Sequence, residues 1–501
     1  MRKAAISVAA ALALVVVSAA PAAAVDNVNS KKFRDAVTVG GILSHERVLQ
    51  RIANQNGGTR ASGTPGFDAS AAYVKDTLKA AGLKVSQQPF TFPLFHELAP
   101  AVLTQDSPNQ VSYETATYQY SGSGTVTGTV VPIDVVLPPT PAPSSTSGCE
   151  ATDFPAAPAG PAIALIQRGT CTFGTKVVNA AAAGYDAVVI FNEGQPGRTD
   201  LFVGDIGQVV DTPTVGLSFA DGNSLYAATQ AGPVTATVTT STFVETKTTS
   251  NVFGETTGGD ANKVIVVGAH LDSVQEGPGI NDNGSGTATI LEIAEQFKAL
   301  KVKPKQKVRF AFWGAEEGGL LGSEHYVNTL SDAQLGKIYA NLNFDMVGSP
   351  NYVRFVYDGD GSATGTSGPA GSAEIEGIFN DYFGKQGLAT DPTAFDGRSD
   401  YGPFIAVGIP AGGLFSGAEG EKTPEQAAVY GGTAGAAYDV CYHQACDTIN
   451  NLNTSALNEL GDAAAHAVYT LALTKTGFFP DGSFAKRKAP ELTYKGPYAV
   501  R

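Results

Sequence analysis

Seven acidic and imidazole side chains in the second half of the chain have types and spacing suited to holding metal. The stretch "VVGAHLDSVQEGPGINDNGSG" (266–286) sets His270, Asp272 and Asp282 among glycines, directly after an apolar run. Further on, "VRFAFWGAEE" ends in Glu316 and Glu317, "ANLNFD" ends in Asp345, and "CYHQACD" holds His443. Two histidines and three carboxylates make a nitrogen and oxygen set suited to a pair of zinc ions. Such a pair, about 3.5–4 Å apart, needs one shared carboxylate and terminal ligands on each side. The vicinal acids Glu316 and Glu317 matter most. They point apart on an ordinary strand or helix start, so one can bind metal while the other stays free as a general base.

Each residue alone has an ordinary explanation. Acids at strand ends are common helix N-caps, a lone histidine is more often structural, and Asp282 could simply open the helix at "GTATILEIAEQF". The ordered set resists that explanation, because each acid follows its own apolar strand.

The elements that position these groups follow from periodicity. From "NVFGE" onward, buried apolar strands ("KVIVVGAHLD", "QKVRFAFWGAEE", "YANLNFDMVG") interleave with helices ("GTATILEIAEQFKAL", "GSEHYVNTL"). This predicts an α/β fold with a mostly parallel central sheet flanked by helices. Functional groups then collect beyond the carboxyl ends of the strands. Upstream, "SHERVLQRIANQ" and "SAAYVKDTLKAAGL" have helical spacing, the second closing at Gly82 as a C-cap. Between about residues 105 and 245 the texture changes to Thr, Tyr and Val alternation, broken by the proline- and serine-rich "PPTPAPSSTSG". The simplest account is an α/β domain interrupted by a β-rich insert. The expected division is 1–24 signal peptide, 25–104 first part of the α/β domain with room for a short propeptide, 105–245 insert, 246–480 main part, and 481–501 tail.

Composition narrows the class. A chain of 501 residues is more than one core usually serves. Its formal net charge of −14 argues against a nucleic-acid binder. Arg2 and Lys3, the apolar stretch Ala4 to Ala20 and the small residues Ala22, Ala23 and Ala24 have the pattern of a secretory signal peptide. A membrane anchor is the rival reading of that segment. The expectation is therefore a secreted, extracellular protein with no membrane attachment after cleavage. Four cysteines in such a chain suggest two disulfides with three possible pairings. The local pairs Cys149 with Cys171 and Cys441 with Cys446 are favoured.

The motifs "GAHLDS", "GINDNGSG", "FWGAEEGGLLGS", "NFDMVG" and "CYHQACDT", in this order, resemble those of secreted two-zinc aminopeptidases of the MH clan, the aminopeptidase Y and leucine aminopeptidase type. The likeness runs from about Asn251 to Phe478, with helices in Ser44–Gln88 supplying the start of the fold. The segment "IALIQRGTCTFGTKVVNAAAAGYDAVVIFN" resembles the protease-associated (PA) domain inserted at this place in such enzymes, where it is not catalytic. Its preferred role here is structural, shaping or shielding the entrance.

The resemblance implies two zinc ions per chain. Asp282 would bridge them, His270 and Asp345 would complete one site, and Glu317 and His443 the other. Glu316 would be the general base for a zinc-activated hydroxide, and Asp272 the acid that orients the His270 imidazole. Tyr442 would hydrogen-bond the developing oxyanion, and Arg398 in "GRSDYGPF" would line the substrate site. Glu316 and Asp345 would also meet the substrate α-amine. Tyr401 stands where the family often has histidine or another residue, a departure that bears on the pocket rather than the metals. His45, His96, His325 and His466 match no ligand position and read as structural or solvent-facing. Some relatives bind calcium, but no EF-hand-like loop supports it here. Expected substrates are peptide or protein N-termini, acted on by a monomer. The rivals are a carboxypeptidase or glutaminyl cyclase on the same scaffold, or a secreted binding module without catalysis.

Overall fold

The computed structural model describes residues 28–474. The expected signal peptide and the 481–501 tail lie outside the described residues.

The α/β expectation holds. The strand Asp260–His270 is exposed at its start and buried from Val264 to His270, and the strand Ile338–Phe344 is buried throughout. Runs without polar alternation can only sit in a sheet covered on both faces. The strand Asp260–His270 pairs in parallel with Gln306–Trp313 on one side and with Ile338–Phe344 on the other. Ala411–Phe415 extends the parallel set beyond Ile338–Phe344. The carboxyl ends of the first three strands therefore lie side by side. This adjacency brings His270, the Glu316–Glu317 turn and Asp345 to one edge of the sheet.

Helices cover both faces. Gly286–Ala299 and Thr454–Leu473 bury almost one whole side each, and with Phe67, Val74 and Leu78 of the helix Pro65–Ala80 they close one large apolar core around Ile265, Val267 and Phe310. Pro65 is pre-organised for a first helical turn, and Thr64 caps it by accepting from the Phe67 N–H. The helix stops where Gly82 adopts a left-handed φ of 72°, as the sequence predicts. His45 lies buried with Nδ1 2.6 Å from the Tyr73 hydroxyl and Nε2 3.6 Å from both Glu292 and Glu295, a structural ion-paired histidine.

The insert is reached and left along one antiparallel ribbon. Lys84–Ser107 pairs with Thr235–Glu255 along nearly its whole length, and the second strand also borders Gln306–Trp313. The expected divisions near residues 105 and 245 thus fall within or beside strands that continue from one lobe into the other. Inside the insert, Gly124–Ile133, Ala162–Gln167, Ala187–Phe191 and Thr214–Leu217 form a parallel set, with the helices Phe173–Ala182 and Phe219–Ala231 against it. Both local cysteine pairs form: Cys149 with Cys171 inside the insert and Cys441 with Cys446 beside His443. Among the described residues no helix is long and apolar enough to cross a membrane.

Candidate metal centre

Asp282 is the centre of the cluster. Its Oδ1 lies 3.1 Å from His270 Nε2 and its Oδ2 lies 3.2 Å from His443 Nε2. One carboxylate thus addresses two imidazoles from opposite sides, the geometry of a shared ligand. Asp345 Oδ1 stands 3.2 Å from His270 Nε2, and Glu317 Oε2 stands 3.0 Å from His443 Nε2. The two groups His270–Asp282–Glu317 and His270–Glu316–Asp345 each place their ligand atoms within 4.8 Å of one another. All the residues that the sequence nominates as ligands are brought together.

Glu316 and Glu317 leave the same turn for different neighbours. Glu316 Oε2 is 3.8 Å from His270 Nε2, while Glu317 faces His443. Burial pushes Glu316 well above the usual carboxylate range and Glu317 up to about 7. Burial opposes charge on His270 too, but the surrounding Glu316 and Asp345 hold its pKa well above the ordinary value. Glu317 Oε1 is buried with no hydrogen-bond partner. An orphaned carboxylate oxygen beside two imidazoles and three further acids is a donor set that divalent cations neutralise. The residues therefore fit a zinc pair in ligand type and mutual placement.

The expected partner of His270 is refined. Nδ1 lies 3.1 Å from the main-chain carbonyl of Asp272, whereas the Asp272 carboxylate is 3.7 Å away. Asp272 Oδ1 instead accepts from the Glu316 N–H at 3.2 Å. Asp272 thus orients the imidazole through its backbone and steadies the Glu316 turn through its side chain.

The ligands are held in turn by a further set of buried groups. Asp447 accepts from the backbone N–H groups of Asn281 (2.8 Å) and Asp282 (2.9 Å). Ser399 Oγ donates to Asp345 Oδ2 at 2.6 Å. Arg60 is fully buried and gives Nε to Pro278 O at 2.9 Å, Nη2 to Gly279 O at 2.5 Å, and Nη1 to Leu271 O. Burial opposes its charge, and among the nearby acids Glu46, itself wholly buried, does most to favour it. Gly279 has a φ of 59°, and a Cβ there would meet Asp282 O at 2.3 Å, so only glycine allows the chain to fold back on Asp282. Asp447 carried a signal in "CYHQACDT"; Arg60, more than two hundred residues upstream, carried none. Asp447→Asn replaces one acceptor oxygen with an amide nitrogen. It should weaken zinc binding about 10–100-fold, measured by competition with a chromophoric chelator.

Three non-glycine residues beside or within the ligand set have left-handed backbones: Ala315 (φ 54°), Met346 (φ 47°) and His443 (φ 57°). Each costs of order 1–3 kcal/mol and persists only where its surroundings over-determine it. Their clustering marks this edge of the sheet as built for chemistry rather than for stability.

A cleft of about 580 Å³ opens over the cluster. Tyr442 lies in its wall, its ring stacked on His443 at 3.8 Å; burial raises its phenol pKa, which keeps the O–H as a donor. Arg398 also lines the cleft, with Nη1 2.7 Å from Glu419 Oε1 and Nη2 3.4 Å from the Tyr442 hydroxyl. Tyr401 is fully buried behind the cleft and donates to Asp396, a residue of its wall, at 2.8 Å. The insert takes part directly. Tyr120 donates to Gly318 O at 2.8 Å, Gln119 to Glu317 O at 3.3 Å, and Phe202 and Asp205 line the same cleft.

A parallel α/β sheet with two imidazoles and a carboxylate between them at its carboxyl edge is an arrangement suited to a metal-dependent hydrolase. Comparison with known proteins agrees. The model of peptidase family M28 matches residues 251–468, and that of the PA domain matches residues 126–225. The chain is 50% identical over 445 residues to an aminopeptidase of Pseudomonas aeruginosa, covering 86% of this chain and 81% of that one. It is 48% identical over 332 residues to leucine aminopeptidase 2 of Trichophyton rubrum, covering 66% of each. Among solved structures it resembles an aminopeptidase from Aneurinibacillus sp. strain AM-1, with TM-score 0.70, 25% identity, and coverage of 89% of this chain and 97% of that one. It also resembles BSAP, a zinc aminopeptidase from Bacillus subtilis, with TM-score 0.57, 26% identity, and coverage of 86% and 95%. The chain belongs to peptidase family M28.

Proposed function

We propose that this chain is a secreted zinc aminopeptidase that removes the N-terminal residue of peptides, with Glu316 as general base and with Asp282 as the carboxylate that two metal ions would share. The observation that carries the reading is the pair of Asp282 oxygens, each facing a different imidazole, with Glu316 beside them. His270 and Asp345 would hold one ion, and Glu317 and His443 the other. Zinc bound by these residues would supply Lewis-acid polarisation of the scissile carbonyl and a more acidic water.

The chain's own groups do the rest. Glu316 takes the proton from the attacking water and returns it to the leaving amine. Tyr442 donates its O–H toward the oxygen on which negative charge develops. Glu316 and Asp345 offer negative charge to the substrate α-ammonium, which selects a free N-terminus. Arg398, the cation that a carboxypeptidase would need for a terminal carboxylate, is already paired with Glu419. That pairing favours the aminopeptidase over its nearest rival. The pattern of Arg2, Lys3 and the apolar run after them supports secretion.

The test is zinc content of the purified protein together with hydrolysis of leucine p-nitroanilide, with and without an N-acetyl cap. Near two zincs per chain and activity lost on capping are expected. Equal turnover of the capped substrate would remove the exopeptidase claim while leaving the metal site. Absence of both zinc and turnover would return the non-catalytic binding module.

A further inference from the structure

A second group of carboxylates stands apart from the zinc ligands. Asp358, Asp360 and Glu376 bring one ligand oxygen each within 4.8 Å of one another. Asp358 and Asp360 belong to the loop that follows the strand Phe355–Tyr357, and Glu376 projects from the helix Ser372–Lys385.

Three observations separate this group from an ordinary acidic surface. Asp358 is 1% exposed, and while its Oδ2 accepts from Ala363 N, Thr364 N and Thr364 Oγ1, its Oδ1 is buried with no partner at all. Among the described residues, no Lys, Arg or His forms an ion pair with any of the three acids. The loop reads Asp358-Gly-Asp360-Gly-Ser362-Ala-Thr364, so oxygen-bearing side chains recur at every second position. A buried anionic oxygen with neither donor nor counter-charge is an expensive arrangement unless a cation completes it.

We propose that Asp358, Asp360 and Glu376 form a binding site for a hard divalent cation of the calcium class. The donors are all oxygen, which disfavours zinc, and all are protein carboxylates, whereas magnesium keeps its waters and usually takes only one or two of them. Burial pushes the Glu376 pKa upward against the backbone donors of Asp360 and Gly359, while for Asp358 burial is outweighed by hydrogen bonds from Thr364 and Ala363, which hold it below its ordinary value, so Asp358 is the anion of the group.

The position gives the site a consequence. Tyr357, immediately before Asp358, lines the active cleft and stacks on Phe395 at 5.2 Å. The Asp358 N–H donates to Thr393 O at 2.9 Å. A cation here would brace the junction behind the cleft wall that carries Asp396, Arg398 and Ser399.

The experiment uses the zinc-loaded full chain in buffer stripped of calcium. It is titrated with calcium chloride by isothermal calorimetry, with the unfolding midpoint measured in parallel. Expected is one calcium per chain, with a dissociation constant of order 10⁻⁴–10⁻³ M or tighter, and a midpoint that rises with calcium. Asp360→Asn is the informative variant, because Asp360 is exposed and the exchange keeps its shape. It should weaken calcium binding about tenfold or more and abolish the rise in midpoint, with zinc content unchanged. Glu376→Gln should do the same. Absence of saturable binding overturns the proposal, and so does calcium binding of equal strength in the wild type and Asp360→Asn.

Discussion

Glu316→Gln should lower the turnover number for leucine p-nitroanilide by about 10²–10⁴-fold, the contribution usual for a positioned general base. Zinc content should remain that of the wild type. Glu316 has the location for this role: its Oε2 is 3.8 Å from His270 Nε2, farther than Asp282 or Asp345, yet within the same cluster, so zinc retention in the variant is what separates a base from a ligand. Its main-chain N–H is anchored by Asp272, and the left-handed Ala315 before it aims the turn toward the cleft. Glutamine preserves the volume and one acceptor oxygen but cannot carry the proton from water to the leaving amine. Turnover and zinc content, measured on the same preparation, decide the point. Loss of zinc in this variant would show that Glu316 is a ligand and that Glu317 must be reconsidered as base.

Asp282→Asn should be the most damaging substitution for metal retention. Asp282 is the one residue whose two oxygens serve both imidazoles, so the change weakens both sites at once. Burial opposes the charge of Asp282, but hydrogen bonds from His270 and His443 hold its pKa below the ordinary carboxylate value. The folded chain thus keeps it ionised. The amide has one acceptor and no charge, and its nitrogen would face one of the two metal positions. Zinc affinity should fall by more than the roughly 10–100-fold expected when a residue that merely orients a ligand is lost, and activity should fall with it. The backbone bonds from residues 281 and 282 to Asp447 do not depend on the side chain, so the loop should keep its shape and the far-ultraviolet circular dichroism its wild-type form. Retention of both zincs at wild-type affinity would refute the shared-ligand assignment.

The sequence by itself determined the identity of the cluster and the type of fold around it. Apolar strands without polar alternation imply a sheet covered on both faces, and in such a sheet the residue just past each strand is delivered to one edge. His270, Glu316, Glu317 and Asp345 were legible for that reason, since each is tied to its strand by a few covalent bonds. Both disulfides were legible because their partners are close in the chain.

Only the tertiary structure decided how those residues are aimed. Asp272 reads from the sequence as a carboxylate partner of His270; in the fold its carbonyl stands nearer to Nδ1 than its carboxylate does, and the carboxylate also accepts from the Glu316 N–H at the end of the neighbouring strand. Arg60 holds three carbonyls of the 271–279 segment from a loop between two N-terminal helices, and Asp358 finds Glu376 across a loop and a helix turn. The insert reaches the Glu317–Gly318 turn through Gln119 and Tyr120. These contacts join segments far apart in the chain through hydrogen bonds. Hydrogen bonds leave no periodicity in the sequence; they arise from the way packed elements bring donors and acceptors together in a dry interior.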